Sequence, residues 1–297
     1  MTLNIRGRLL ATDRALVMGI LNLTPDSFYA GSRLSLEGLL TRVEAMLRDG
    51  ADIIDLGACS TRPGAAASTA EQELEMLVPA VKLLRSETEA VISVDTFRAD
   101  VARACVEAGA DMINDVGGGR LDEDMFETVA ELKVPYVLMH SRGDSQTMQS
   151  LTDYEDVAAD VLRDLAFKAD RLHQLGVCDV IIDPGFGFAK TIDQNYRLLA
   201  YLQAFKAIGC PVLAGLSRKS MVYRELGLPG AEAALNGTTA LNMLALVNGA
   251  DILRVHDVRE ARETVSLFEA YKRNLPKRHS ITTRDACDDN AYKTVLI

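Results

Sequence analysis

The chain has 297 residues, 48% of them hydrophobic, enough to bury a large core as one α/β barrel or as two smaller domains. A formal net charge of −10 argues against nucleic acid as the main partner, yet leaves room for a small anion held by a few local cations. Cysteines at 59, 105, 178, 210 and 287 form no CxxC pair. No run of about eighteen apolar residues occurs. A cytoplasmic protein with reduced thiols and no membrane span is therefore expected.

In chain order, the first predicted strand is "ALVMGIL" (15–21), which runs into Asn22 and a polar loop carrying Phe28. Leu36, Leu39, Leu40, Val43 and Leu47 then fall on one helical face. "DIIDLG" (52–57) is the second strand, followed by the small-residue loop "ACSTRPGAAAST" (58–69) and a helix with Leu74, Leu77, Val78, Val81 and Leu84 on one face. "VISVD" (91–95), a helix through Val101, Cys105 and Ala108, and "DMIND" (111–115) come next. "PYVLMH" (135–140), "DVIID" (179–183), "PVLAG" (211–215) and "DILRV" (251–255) complete a set of eight. Each is too short for a helix and too uniformly apolar for a sheet with one wet face, as parallel strands covered on both sides require.

"DGADIID", "AGADMIND" and "NGADILR", with "LGVCDVIID" as a looser copy, each place a Gly at a helix C-terminus directly before a strand. Eight strands alternating with helices predict a single-domain (β/α)8 TIM barrel over 1–275, with a doubly wound open sheet as the alternative. The polar residues 276–297 are expected to form a surface or disordered tail without a part in the chemistry.

A (β/α)8 barrel presents its reacting groups at the C-terminal strand ends. Here those ends carry Asn22, Asp95, Asn114 with Asp115, His140, Asp183, the "GLSRKS" segment with Arg218 and Lys219, and Arg254 with His256. Taken singly, each carboxylate or amide also suits a helix cap or turn, and Arg254 suits an ion pair to Asp183 or Asp257. A lone His140 is more often a satisfied structural histidine. Together, the cations suit an anion site at the seventh and eighth loops. Asp95, Asn114 and Asp183 suit a flat heterocycle bearing adjacent N–H groups. Asn22 offers a hard oxygen for a divalent cation over the anion. Arg62 in the second loop is placed to fold over a bound ligand.

The motifs "GILNLTPDSF", "STRPGA", "SVDTFRADVA", "INDVGG", "LMHSRG", "IIDPGFGFAK", "SRKSM" and "RVHDV", in this order over about residues 15–272, resemble dihydropteroate synthase. The resemblance implies a dimeric (β/α)8 barrel that condenses 6-hydroxymethyl-dihydropterin diphosphate with 4-aminobenzoate, with help from Mg2+. Carried onto matching positions, it implies pterin binding by Asp95, Asn114, Asp183 and Lys219, and diphosphate and metal binding by Asn22, Arg254 and His256. It implies an aminobenzoate pocket shaped by Phe28, Thr61, Arg62, Pro63, Phe188 and Ser220. Ala30, Cys59 and Ala189 stand where many members carry Asp, Glu and Gly. Three competing readings are a pterin-dependent methyltransferase, a Schiff-base aldolase using Lys219, and a non-catalytic pterin-binding module. The first has no need of the "STRPG" loop or the "SRKS" and "RVHD" cations. The second demands a desolvated amine.

Overall fold

The computed structural model describes residues 2–11, 13–23, 33–58 and 68–276. Eight parallel strands form the barrel: β3 (Leu16–Asn22), β4 (Ile53–Gly57), β5 (Val91–Asp95), β6 (Met112–Asp115), β7 (Tyr136–Met139), β8 (Val180–Asp183), β9 (Leu213–Ala214) and β10 (Ile252–Val255). They lie in the order β8-β7-β6-β5-β4-β3-β10-β9, and a parallel bridge between Ile182 and Val212 joins the two ends of the sheet. All eight expected strands are present, and the ring replaces the open-sheet alternative.

Each strand leads to a helix on the outside: α1 (Arg33–Arg48), α2 (Ala70–Glu87), α3 (Ala99–Ala108), α4 (Met125–Leu132), α5 (Val157–Gln174), α6 (Ile192–Ala200), the short α7 (Ser220–Tyr223) with α8 (Leu235–Val247), and α9 (Val258–Arg273). The apolar faces read from the sequence turn inward, so Leu39, Val43, Leu77, Val81, Leu84, Val101 and Cys105 join one core with the outward strand residues. Among the described residues, no helix is long and apolar enough to cross a membrane. Residues 277–297 of the expected tail lie outside those described.

The recurring Gly-Ala-Asp turns build the bottom of the barrel. Gly50, Gly109, Gly176 and Gly249 all have φ between +92° and +118°, where a side chain would be strained. Beyond three of these turns the Asp reaches sideways. Asp52, Asp111 and Asp251 accept the backbone N–H of Val17, Ile92 and Val212 at 2.7–2.8 Å, each on a neighbouring strand. Their cationic partners include Arg14 and Arg262 for Asp52, Arg85 for Asp111 and Lys206 for Asp251. A carboxylate at each of these three seams satisfies a backbone donor close to the start of a strand and fixes its register.

One element was not anticipated. β1 (Thr2–Ile5) and β2 (Arg8–Ala11) form an antiparallel hairpin whose turn, Arg6-Gly7, has φ of +51° and +81°. Positive φ at both central residues matches the twist of the flanking strands. Leu3 and Ile5 are buried against Leu16, Met18, Ile53, Val91, Met112, Val137, Ile181, Leu213 and Ile252, the inward residues at the strand starts. The hairpin thus stoppers the end of the barrel remote from the polar strand tips. Leu3→Ala is expected to cost about 3 kcal/mol of unfolding free energy, the usual size for a buried Leu truncation. Urea denaturation would measure it, and a loss under about 1 kcal/mol would show that the hairpin does not close the core.

Candidate active site at the barrel mouth

Strand register brings the site together. Asn22 pairs with Gly57, Gly57 with Asp95, and Asp95 with Asn114, so four consecutive strands place one row of residues at the same height. Paired residues of parallel strands point to the same side, and two residues down each strand the same face recurs. The row below therefore runs Ile20, Asp55, Ser93 and Met112. Gly57 leaves a gap in the upper row: a Cβ there would stand 3.3 Å from Asn22 Oδ1 and 3.8 Å from Asp95 Oδ2.

Arg254, from β10, crosses the interior to this wall. Its Nε donates to Asp55 Oδ2 at 2.7 Å and its Nη2 to Asp95 Oδ2 at 2.6 Å. Asp55 is fully buried and also accepts from Ser93 Oγ at 2.6 Å and Asn114 Nδ2 at 3.1 Å. Burial works against the Arg254 charge, but Asp55 and Asp95 outweigh it and hold the guanidinium above its ordinary value. For Asp95 burial wins: with Asp55, Asp115 and Glu73 nearby, its carboxyl is pushed up to about 7 despite Arg254. The ion pair that Arg254 suits when taken singly is present but with partners other than Asp183 or Asp257, the latter being taken by Arg218. Asp55 went unnoticed as a site residue. Its signal was a carboxylate in mid-strand, in phase with Ile53 and Gly57.

Opposite stands Asp183 at the end of β8, buried, its Oδ1 accepting from Gly185 N at 2.7 Å. Burial pushes its carboxyl up, with Lys219 as the main opposing charge. Lys219 is half-buried; burial lowers its ammonium to about 8, and Asp183 works against that shift. Its Nζ donates to the carbonyl of Phe186 and lies 4.8 Å from the centre of the Phe188 ring. Ser220 begins α7 next to Lys219. Gly215 leaves the space between these groups open, because a Cβ there would lie 3.8 Å from Lys219 Nζ and 3.9 Å from Asp183 Oδ2.

The remaining expected residues divide. Asn22 is exposed at the rim, and His256 is exposed with Nδ1 3.0 Å from Ser217 Oγ. Arg218 is drawn away from the mouth cations, forking onto Asp257 at 2.9 and 2.6 Å and reaching Glu232 at 2.8 Å. Phe28, Thr61, Arg62 and Pro63, with Ala30 and Cys59, lie outside the described residues. Where the second loop rejoins the barrel, the fully buried Glu73 of α2 accepts from Ser68 Oγ at 3.2 Å, Thr96 Oγ1 at 3.0 Å and Arg98 Nε at 3.2 Å. It ties the end of that loop to the segment after Asp95, another contact the sequence reading missed.

Comparison with known proteins gives this geometry a family. The profile described as "Pterin binding enzyme" matches residues 18–256, and the chain belongs to that family. The dihydropteroate synthase of Synechocystis sp. is 43% identical over 260 residues, 86% of this chain and 90% of that one. A solved Xanthomonas albilineans dihydropteroate synthase with 4-aminobenzoic acid superposes with a TM-score of 0.84 at 40% identity, covering 93% of this chain and 99% of that one. The Xanthomonas enzyme in complex with 7,8-dihydropteroate gives 0.80 at 35% identity, again over 93% and 99%. Within the pterin-binding enzymes, then, the chain stands among the dihydropteroate synthases, which are transferases.

The electrostatics of the mouth predict a titration. A carboxyl raised in the folded state binds more protons there than in the unfolded chain, so this group's contribution to stability falls as pH rises from about 4 to about 7. Carbon NMR of Asp-labelled protein is expected to show a carboxyl with a midpoint near 7 that vanishes in Asp95→Asn. In Asp55→Asn the midpoint should move down, because one repelling charge is gone and Arg254 is left to Asp95. An unmoved midpoint would show that Asp55 does not act on Asp95.

Proposed function

We propose that this chain joins 6-hydroxymethyl-7,8-dihydropterin diphosphate to 4-aminobenzoate, releasing diphosphate and 7,8-dihydropteroate. The observation that carries the reading is the inward wall of Asp95, Asn114 and Asp183 with Lys219. It offers two carboxylates, an amide and an ammonium to a flat ring with neighbouring N–H groups and a carbonyl. Carboxylates accept paired hydrogen bonds from such an edge, and Asn114 Oδ1 and Lys219 complete the pattern.

Asn22, Arg254 and His256 hold the diphosphate end in this reading. Two of the Arg254 donors hold Asp55 and Asp95, so its service to the leaving group is the positive charge it keeps beside them. The donor set also fits Mg2+ carried in on the diphosphate. Asn22 Oδ1 and Asp95 Oδ2 flank the gap at Gly57, and phosphate oxygens supply most ligands of such an ion. When bound, the ion neutralises charge that builds on the departing diphosphate.

The chemistry asks little more of the side chains. The bond between the pterin methylene and the diphosphate oxygen breaks with its electron pair leaving on diphosphate. The electron-rich ring carries the positive charge, and the aminobenzoate nitrogen donates its lone pair to the methylene and then loses a proton. No covalent enzyme nucleophile is required, so the enzyme contributes positioning, electrostatics and water exclusion. Phe188 and Ser220, with Phe28, Thr61, Arg62 and Pro63, shape the aminobenzoate side. A homodimer belongs to the same reading, and exposed Leu244 and Val247 on α8 with Leu267 and Tyr271 on α9 support it.

A lowered amine at Lys219 also meets the demand of Schiff-base chemistry. Borohydride in the presence of carbonyl compounds should leave Lys219 unmodified, and covalent trapping there would favour the aldolase. The deciding assay is diphosphate release from the pterin diphosphate. Release is expected only with 4-aminobenzoate and Mg2+ present, with dihydropteroate formed in equal amount. Asp183→Asn should weaken pterin diphosphate binding about tenfold or more, since one charged acceptor becomes a donor facing N–H groups. Calorimetry returning an unchanged affinity would leave Asp183 only the turn at Gly185.

A further inference from the structure

His140, just past β7, and Lys190, in the loop after β8, are both buried and in contact. Lys190 Nζ donates to the carbonyls of Gly185 and Phe188, each at 2.9 Å, and lies 3.1 Å from His140 Nδ1. An ammonium has three N–H donors, and here each has an acceptor. His140 in turn is fixed from both sides. Its backbone N donates to Asp183 O at 2.9 Å, and its carbonyl sits where a Cβ on Gly185 would fall, 1.9 Å away.

Burial, then Lys190 itself, pushes the His140 imidazole down to about 2, so the ring is neutral, and in the tautomer with its proton on Nε2 the Nδ1 accepts from Lys190. Burial pushes Lys190 down to about 7, with Asp183 opposing. An apolar side chain would fill the same space without desolvating a charge. What an apolar chain cannot do is hold two carbonyls of one loop at fixed points. Those two carbonyls bracket the segment that meets Lys219: Phe186 O accepts from its ammonium and the Phe188 ring lies over it. Asn195 adds a further restraint, accepting from Gly187 N at 2.7 Å.

We infer that Lys190 and His140 are positioning residues for the aminobenzoate side of the pocket, fixing the backbone of 185–188 so that Phe188 and Phe186 O meet Lys219 in one arrangement. This rests on the synthase reading above. Neither residue touches substrate in it; both act through the loop.

The test compares His140→Leu with His140→Asn, because Asn Oδ1 restores an acceptor close to the place of Nδ1. His140→Leu is expected to raise the KM for 4-aminobenzoate about tenfold, the scale of one buried donor left unpaired. The Kd for the pterin diphosphate should move less than about threefold, and His140→Asn should return the KM to within about threefold of the unaltered chain. Lys190→Met should show the same split more strongly; if it does not fold, the His140 pair decides. Equal aminobenzoate KM values in the Leu and Asn variants would overturn the inference, as would losses for both substrates that merely follow the folded fraction. Absence of turnover by the unaltered chain would instead sink the synthase reading, so the two failures are distinct.

Discussion

The structure depends on how one guanidinium is shared. Arg254 is sequestered inside the barrel between Asp55 and Asp95, where leaving any one of the three without a partner would cost several kcal/mol. Around the mouth, the carboxyl groups of Asp55, Asp95 and Asp183 face the charges of Arg254 and Lys219, with Lys190 behind Asp183. Burial still wins at both strand ends: with its acidic neighbours it pushes Asp95 up to about 7, and it pushes Asp183 up as well. A cavity in that condition favours whatever brings N–H donors to the carboxylates. In the proposed reading a dihydropterin edge does so without adding a cation.

The two ends of the barrel solve opposite problems with the same residue type. At the bottom, Asp52, Asp111 and Asp251 each take a backbone N–H and a cation from outside the ring, and their oxygens are spent on holding strands in register. At the top, Asp95 and Asp183 keep acceptor capacity facing the cavity, at the cost of shifted protonation. Stability and chemistry are thereby separated along the barrel axis. The hairpin under Leu3 and Ile5 completes the division by keeping water from the strand starts.

The eight strands were legible because burial on both faces leaves a continuous apolar signature, and the turns because left-handed glycines precede them. The upper row of the site was legible because a polar residue at the tip of such a strand breaks the pattern visibly. What sequence could not supply was pairing over distance. Arg254 meets Asp55 across 199 positions and Asp95 across 159, and no local spacing distinguishes those partners from Asp183 or Asp257. Asp55, Glu73 and Lys190 sit inside segments read as strand, helix or loop, and each earns its place only through a partner brought near by barrel closure. The hairpin was missed for a simpler reason: four-residue strands around Arg-Gly carry little periodicity.

Departure from a family pattern can be weighed in the same terms. Ala189 stands at φ +51° and is fully buried, in a place where relatives were expected to carry Gly. The left-handed backbone costs an alanine about 1 kcal/mol relative to its preferred conformations. Burying its methyl group returns about 0.8 kcal/mol, and the loss of chain freedom avoided relative to Gly is of similar size. The gains match or exceed the cost, so the substitution leaves the loop where Lys190 and Asn195 hold it. A family glycine can be replaced at a left-handed position when the added carbon finds space, as that of the buried Ala189 does. At Gly185 it has not, because the His140 carbonyl already occupies that place.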